Sequence, residues 1–355
     1  MGTSEVAGQV DDARARVQAA RHWAFLSPGR LATVRGEVER LTAAGVGGVL
    51  DPQIFVPPWA TLGAAAACGE LELASGIAMA FVRSPLETAM AALDLDRLSS
   101  GRFTLGLGSS VRAWNEDRFG VDYDRPVARL RELVGLVRRM VTLDEQPTIG
   151  RFEGEFWNVD LTGIRLPRPV RPSLPITVAP LRSAMIEMAA EVADGILGHP
   201  VWSPAWITGG AREAIDRGLA RSGRDRGELR VTAWLRVAIT DDADEGRRHA
   251  KAGIPFYAAL RQYDSYFAGL GLADDARKLQ DLAEAGAPPA DLAAGVSDAM
   301  ADELVVIGTA DEVAARIAPV LDVVDDLCIT PPNGLPPDVT RRYDEAITRH
   351  LLPGS

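Results

Sequence analysis

The sequence predicts an α/β fold, a (β/α)8 TIM barrel formed by eight parallel strands. Two observations support this prediction: short apolar runs alternate with longer amphipathic segments, and eight of the short runs have the length of a buried strand. Eight strand–helix units favour a closed barrel over an open sheet. Although 355 residues suggest about two domains by length alone, barrels of this kind often reach that size as one domain.

The predicted strands follow one another at the spacing that crossover helices require. They comprise residues 22–26, 47–50, 71–75, 103–107, 176–179, 195–197, 231–239 and 326–330. Each is a short apolar run, as is typical of strands that are covered on both faces of a parallel sheet.

Two of the intervening helices carry clear start signals. Ser84 is followed by Pro85 and, three residues after the cap, by Glu87, which predicts a helix N-terminus. Thr309 and Glu312 predict a capping box ahead of the last crossover helix. Apolar spacing predicts the other helices at residues 31–41, 59–68, 127–141, 183–192, 211–220 and 338–352, and "RFEGEFWNVD" predicts a small hairpin.

Two segments do not fit the repeating unit. Residues 1–21 are polar and alternately charged, and we interpret them as an N-terminal arm. Residues 242–302 are too long for a simple crossover, and they contain a cluster of aromatic residues and a Pro- and Ala-rich patch. They are interpreted as a helical insertion, or lid, between strands seven and eight. Residues 1–355 are otherwise predicted to form a single domain.

Composition excludes several classes of partner. The net charge of −11 argues against nucleic acid and anionic membranes, because both require clustered Lys and Arg. It leaves room for an anionic cofactor, since backbone N–H groups can bind phosphate. Cys68 and Cys328 are interpreted as small buried hydrophobes, and the four histidines lack metal-ligand spacing, so no metal is predicted. We find no signal peptide and no membrane-spanning run, which predicts a cytoplasmic protein.

In such a barrel, functional residues gather at the carboxyl ends of the strands. The second strand ends in "LDPQIFVPPW", which places Asp51 just past the core, and the next four end in "ASGIAM", "GLGSS", "APLRS" and "LGHP". A rim of small residues exposes backbone, which suits a flat ring and a phosphate. Gly106 and Gly108 could equally be turn residues, because a lone GxG is a weak signal.

Two longer stretches resemble a known family. "SPLETAMAALDLDRLSSGRFTLGLGSS" and "PITVAPLRSAMIEMAAEVADGILGHP" are similar to the luciferase-like monooxygenase superfamily. The details "GSSVRAW" and "GHP" most resemble its actinobacterial branch that depends on coenzyme F-420, an 8-hydroxy-5-deazaflavin. The resemblance covers about residues 45–200, with weaker agreement at 303–330.

The resemblance implies a coenzyme site. It implies a non-proline cis peptide between Gly76 and Ile77 that supports the back of the ring, and an acid near the reactive ring at Asp51. The implied cofactor-binding residues are Asp51, Ser75, Gly76, Ile77, Gly108, Ser109, Ser110, Val111, Arg112, Ala179, Pro180, Leu181 and Arg182. The last four precede a helix whose free N–H groups favour an anion.

The sequence also departs from parts of the family. Val111 stands where the sugar-phosphate dehydrogenases have a general-acid Glu, so that reaction is not expected. Pro52 replaces the histidine that often follows the acid of the second strand. Cys68 does not match the reactive cysteine of the light-emitting members.

The predicted function is hydride transfer between C5 of F-420 and a small organic substrate with a C=C, C=N or C=O group. Asp51 and His199 are the candidates for handling the proton, and Trp59, Trp114 and Trp202 are the candidates for walls of the substrate pocket. Two alternatives stay open: an FMN-dependent monooxygenase, and a flavin- or deazaflavin-binding protein without turnover. The resemblance also implies a homodimer.

Overall fold

A computed structural model gives the fold and describes residues 3–54, 56–145 and 149–354, with side chains from residue 11 onward. The strands are β1 Arg21–Phe25, β2 Gly48–Asp51, β3 Glu72–Ser75, β4 Ala78–Met79, β5 Phe103–Gly108, β6 Arg151–Glu153, β7 Asn158–Asp160, β8 Ile176–Val178, β9 Gly195–Leu197, β10 Arg230–Ile239, β11 Val306–Gly308 and β12 Asp326–Thr330. The predicted strands are all present, and none of their ends differs from the prediction by more than one residue.

The main sheet has the strand order β11-β10-β12-β1-β2-β3-β5-β8-β9, and β9 also pairs with β10. Neighbouring strands such as β1 and β2, β2 and β3, and β5 and β8 run parallel. This cyclic order is that of a (β/α)8 barrel, so the predicted fold class is confirmed. The short β4 pairs with β5, and β6 and β7 form the predicted hairpin, which is antiparallel.

The helices lie between these strands. They are α1 Thr3–Ala19, α2 Leu31–Ala43, α3 Trp59–Ala66, α4 Pro85–Leu98, α5 Pro126–Val141, α6 Ser183–Val192, α7 Pro204–Trp206, α8 Arg212–Ser222, α9 Ala243–Ala250, α10 Pro255–Ala258, α11 Asp264–Gly269, α12 Ala273–Glu284, α13 Pro289–Gly295, α14 Asp298–Leu304, α15 Ala310–Ile317 and α16 Pro337–Leu351. Both predicted caps are confirmed. The Ser84 hydroxyl accepts the Glu87 N–H at 3.1 Å, and Thr309 and Glu312 form the reciprocal capping box.

The chain divides into two compact units. The central unit contains Trp23–Leu197 and Glu213–Val231, and the terminal unit contains Met1–His22, Gly198–Arg212 and Thr232–Ser355. The prediction of a single domain, residues 1–355, is not tested by this division.

In the central unit, the neighbouring strands β3 and β5 approach each other very closely. The Ser75 hydroxyl donates to the carbonyl of Gly106 and accepts its N–H, both at 2.8 Å. A Cβ at Gly106 would lie 1.9 Å from the Ser75 carbonyl oxygen. Gly106 is therefore required by strand packing, and this requirement explains why the apolar run contains a glycine.

The central unit also contains a buried ion pair. Asp96 in α4 is 1% exposed, and its carboxylate accepts hydrogen bonds from Arg171 at 2.7 and 3.2 Å. Such a bidentate pair compensates the cost of burying the carboxylate.

In the terminal unit, the predicted N-terminal arm contains a helix, α1, and Arg16 in this helix forms an ion pair of 2.7 Å with Asp322. The predicted insertion, residues 242–302, is helical and contains α9 to α13 and most of α14. The strand β11, which follows the insertion and pairs with Val237–Ile239 of β10, was not predicted from the sequence. Three residues are too few to give a periodic signal.

We predict that Gly106→Ala lowers the free energy of unfolding by about 3 kcal/mol or more, because its Cβ would meet backbone that cannot rotate away. Gly135→Ala is the matched control. Gly135 lies in α5, and a Cβ there meets nothing within 4 Å, so this change should stabilise by about 0.5–1 kcal/mol. Urea unfolding of both variants tests the argument, and equal effects would contradict it.

Candidate functional site

Asp51 ends β2 in an unusual environment. Its side chain is fully buried, and among the residues that the structure describes neither carboxylate oxygen has a hydrogen-bond partner of ordinary geometry. Burial raises the pKa of Asp51 from 3.8 to about 7, while the nearby Thr61 hydroxyl opposes this shift in part. A carboxyl group with this pKa can hold or release a proton close to neutral pH.

The peptide bond between Gly76 and Ile77 is cis, which confirms the expectation from the resemblance. It is fixed against the end of β2: the Gly76 N–H donates to the Asp51 carbonyl, and the Gln53 N–H donates to the Ile77 carbonyl, both at 2.9 Å. A Cβ on Gly76 would lie 2.9 Å from Cβ of Leu50. The backbone that follows β3 is therefore held beside Asp51.

Gln53 is a positioning residue that the sequence analysis missed. Its buried side-chain oxygen accepts hydrogen bonds from the Met79 N–H at 3.0 Å and from Arg83 at 2.9 Å. The Arg83 guanidinium also lies over the ring of Trp59, 5.4 Å from its centroid. Trp59, a predicted pocket residue, is half-buried in the central unit and is held from one side by this arginine. A single glutamine in a loop gives no pattern that could have predicted these contacts.

Gly108 closes β5, and its role differs in part from the one that the resemblance implies. A Cβ at this position would lie 2.9 Å from Cγ1 of Ile77, so the glycine makes room for that side chain. Packing of Ile77 alone thus accounts for the small residue at position 108. The contact of Gly108 with a coenzyme stays a prediction.

The loop after β5 is fixed by two residues that the sequence analysis did not single out. The amide of the fully buried Asn115 donates to the carbonyls of Ser109 and Val111, both at 2.9 Å. The Tyr123 hydroxyl donates to the Ser110 carbonyl at 3.0 Å and lies 3.2 Å from the Ser109 hydroxyl. Ser110 has a positive φ of 55°, and these bonds hold it there. The loop is thus preorganised. The spacing of Asn115 and Tyr123 in the sequence gives no signal that could have predicted this role.

Two arginines, Arg112 and Arg182, lie near the same loop. The Arg112 guanidinium lies 5.4 Å from the centroid of the Tyr123 ring and forms an ion pair with Glu116. Burial raises the pKa of Tyr123, and the charges of Arg182 and Arg112 oppose that rise, so Arg182 also acts on this part of the unit.

Arg182 is the N-cap of α6, and its side chain makes no capping hydrogen bond to the helix. The segment before it is joined to β5, since the Ala179 N–H donates to the Leu107 carbonyl at 2.9 Å. Pro180 is buried and Leu181 is half-buried. An uncapped helix N-terminus beside an arginine can bind an anion.

The structure thus brings the predicted residues of four strand ends together within the central unit. Trp114 lies in the same unit, half-buried, with the Arg118 guanidinium 4.4 Å from its ring centroid.

His199 and Trp202 belong to the terminal unit. Burial lowers the pKa of His199 to about 3, and the charge of Arg236 contributes, so the imidazole is neutral at neutral pH. Its Nε2 lies 3.2 Å from the Tyr263 hydroxyl. Trp202 is 1% exposed and packs on Gly198. Their roles in catalysis and in the substrate pocket stay predictions.

Across residues 3–54, 56–145 and 149–354, no group of three or more His, Cys, Asp and Glu side chains is placed to hold a metal ion. Within the same ranges, no helix combines the length and the apolar character that crossing a bilayer requires.

The chain is similar to proteins from mycobacteria and archaea. It is 35% identical to an uncharacterised protein of Mycobacterium tuberculosis over 252 residues, which cover 70% of this chain and 74% of that protein. It is 29% identical to the 5,10-methylenetetrahydromethanopterin reductase of Archaeoglobus fulgidus over 255 residues, 70% of this chain and 72% of that enzyme.

Solved structures share the fold. The coenzyme F420-dependent tetrahydromethanopterin reductase of Methanopyrus kandleri superposes with a TM-score of 0.78 at 19% identity, covering 94% of this chain and 99% of that one. A family model described as luciferase-like monooxygenase matches residues 14–325, well over half of the sequence. The chain therefore belongs to the luciferase-like monooxygenase family.

Proposed function

We propose that this protein is an F-420-dependent oxidoreductase that transfers a hydride between C5 of the coenzyme and a small organic substrate with a C=C, C=N or C=O group. The observation that carries the proposal is Asp51, a fully buried carboxyl group beside the Gly76–Ile77 backbone that has no charged partner among the described residues. The structural neighbour from Methanopyrus kandleri, a reductase that depends on coenzyme F420, supports the choice of coenzyme.

The central unit fits a deazaflavin. The backbone of Gly76 and Ile77 would support the ring, and the fixed loop of residues 109–112 would hold the adjoining chain. The uncapped N-terminus of α6, with Arg182, would bind an anionic group of the coenzyme. When bound, F-420 donates or accepts a hydride at C5.

Asp51 would handle the proton that accompanies this transfer. Because burial raises its pKa to about 7, the Asp51 carboxyl group can hold a proton at neutral pH and would donate it to a substrate bound beside it. His199 supplies no imidazolium proton at that pH, because its pKa is lowered to about 3. Of the two candidates, Asp51 is therefore the proton donor in this proposal.

Coenzyme choice is tested by titrating the purified protein with F-420 and with FMN and following fluorescence. We expect micromolar binding of F-420 and no binding of FMN. FMN binding alone would contradict the proposal and favour the FMN-dependent monooxygenase. F-420 binding with no turnover of any C=C, C=N or C=O substrate would favour the binding protein.

Asp51→Asn should lower kcat by about 100-fold or more with little change in coenzyme affinity, because the amide cannot donate a carboxyl proton. In the direction of substrate reduction, the wild-type rate should fall as the pH rises through about 7, where Asp51 loses its proton. The residual rate of the Asp51→Asn variant should not fall as the pH rises through about 7. Asp94→Asn, at an exposed pair with Arg97 in α4, is the control and should behave like wild type.

Asp51→Asn should also stabilise the coenzyme-free protein at pH 8, by about 2 kcal/mol. The pKa of Asp51 in the folded protein lies above the ordinary value of 3.8. The wild-type protein therefore has its full free energy of unfolding below about pH 4 and loses part of it as the pH rises to about 7. The effect of the variant should therefore vanish near pH 4. Asp96→Asn is the matched comparison: it leaves Arg171 unpaired and should destabilise by about 3 kcal/mol at pH 8. Urea unfolding at both pH values measures these differences, and destabilisation by Asp51→Asn at pH 8 would refute the account.

A further inference from the structure

The terminal unit contains a cluster of polar and aromatic side chains around Arg236. Arg236 lies on β10, in register with Thr330 of β12, and Trp234 of β10 is in register with Cys328. These side chains lie on one face of the strand pair, because the Trp234 indole N–H donates to the Thr330 hydroxyl at 2.9 Å. Arg236 thus stands near the carboxyl ends of both strands.

Arg236 carries a charge that its surroundings do not neutralise. Among the described residues, no carboxylate lies within 4 Å of its guanidinium, which contacts the Pro331 carbonyl at 3.3 Å, the Tyr257 hydroxyl, and the Trp234 ring with its centroid at 5.7 Å. The side chain is half-buried, and it faces the fully buried Cys328, whose thiol pKa is raised by burial and lowered in part by Arg236. A cation in such a place without a counter-ion is costly, and a ligand anion would remove that cost.

Aromatic groups surround this cation. The Tyr257 hydroxyl lies near Arg236, which opposes the rise that burial causes in the pKa of this tyrosine. The Tyr257 ring lies edge-on to the rings of His199 and Tyr263, with centroids 5.2 and 5.5 Å apart. His199 is neutral and adds no charge. The cluster therefore combines one positive charge with several aromatic faces.

We propose that Arg236 and the Tyr257 hydroxyl bind the carboxylate of a small aromatic acid, whose ring packs against Trp234, Tyr257 and His199. A single guanidinium forms two parallel hydrogen bonds with a carboxylate and matches its one negative charge, whereas a phosphate dianion would leave one negative charge uncompensated in this half-buried place. Calling this acid the substrate rests on the proposed function. Binding of the acid does not, because every residue involved lies in the terminal unit.

The proposal is tested by calorimetric titration of the coenzyme-free protein with benzoate, benzamide and inorganic phosphate. Benzamide has the shape of benzoate without the charge, and phosphate tests the other class of oxyanion. We expect benzoate to bind at least about 10-fold more tightly than either. Equal affinity for benzamide, tighter binding of phosphate, or no heat from benzoate at about 10 mM would overturn the proposal.

Variants locate the site. Arg236→Met should weaken benzoate binding at least about 10-fold, and Arg236→Lys should fall between this variant and wild type. Arg277→Met, at an exposed arginine of α12, is the matched control and should bind benzoate as wild type does. Unchanged affinity in folded Arg236→Met would refute the assignment, and if that variant does not fold, Arg236→Lys decides in the same way. F-420 titration of each variant is measured separately, so that failure of the coenzyme proposal is not mistaken for failure of this one.

Discussion

The close approach of the ends of β2, β3 and β5 is the constraint on which the candidate site depends. It is made possible by three glycines: Gly106 meets the Ser75 backbone, Gly76 meets Leu50, and Gly108 meets Ile77. In each case a Cβ would come closer than 3 Å to a neighbouring atom. Because the strands meet this closely, the backbone after β3 lies against Asp51, and the carboxyl group is shut off from water. The raised pKa of Asp51 is thus a consequence of strand packing.

A comparison of Asp51 with Asp96 shows why burial alone does not identify a functional acid. Both carboxyl groups are almost inaccessible, and burial raises the pKa of each. Asp96 is compensated by the bidentate contact with Arg171, whereas Asp51 has no such contact among the described residues. A buried acid with a partner contributes to the fold, and one without a partner keeps its oxygen atoms available for chemistry.

The sequence predicted those parts of the structure that local chemistry determines. The eight main strands follow from apolar runs, and the helix starts at Ser84 and Thr309 follow from caps. The resemblance supplied the cis peptide, which no propensity indicates. By contrast, Gln53, Asn115 and Tyr123 act through hydrogen bonds to backbone atoms between four and 26 positions away, and their side chains follow no period. The strand β11 was missed because its three residues are too few to show a period, and they form a strand only through pairing with the distant β10.

The burial of His199 also decides what kind of chemistry this residue could perform. The Val201 N–H approaches Nδ1 at 3.4 Å, so the ring proton lies on Nε2, which faces the Tyr263 hydroxyl at 3.2 Å. Protonating Nδ1 as well would place a second positive charge near Arg236 and set two N–H groups against each other, which agrees with the strongly lowered pKa. His199 is therefore suited to orienting Tyr263 as a neutral hydrogen-bond donor. A histidine at the end of a barrel strand suggests acid–base chemistry from its sequence position alone, and here burial, reinforced by the charge of Arg236, lowers the pKa of His199 too far for that role near neutral pH.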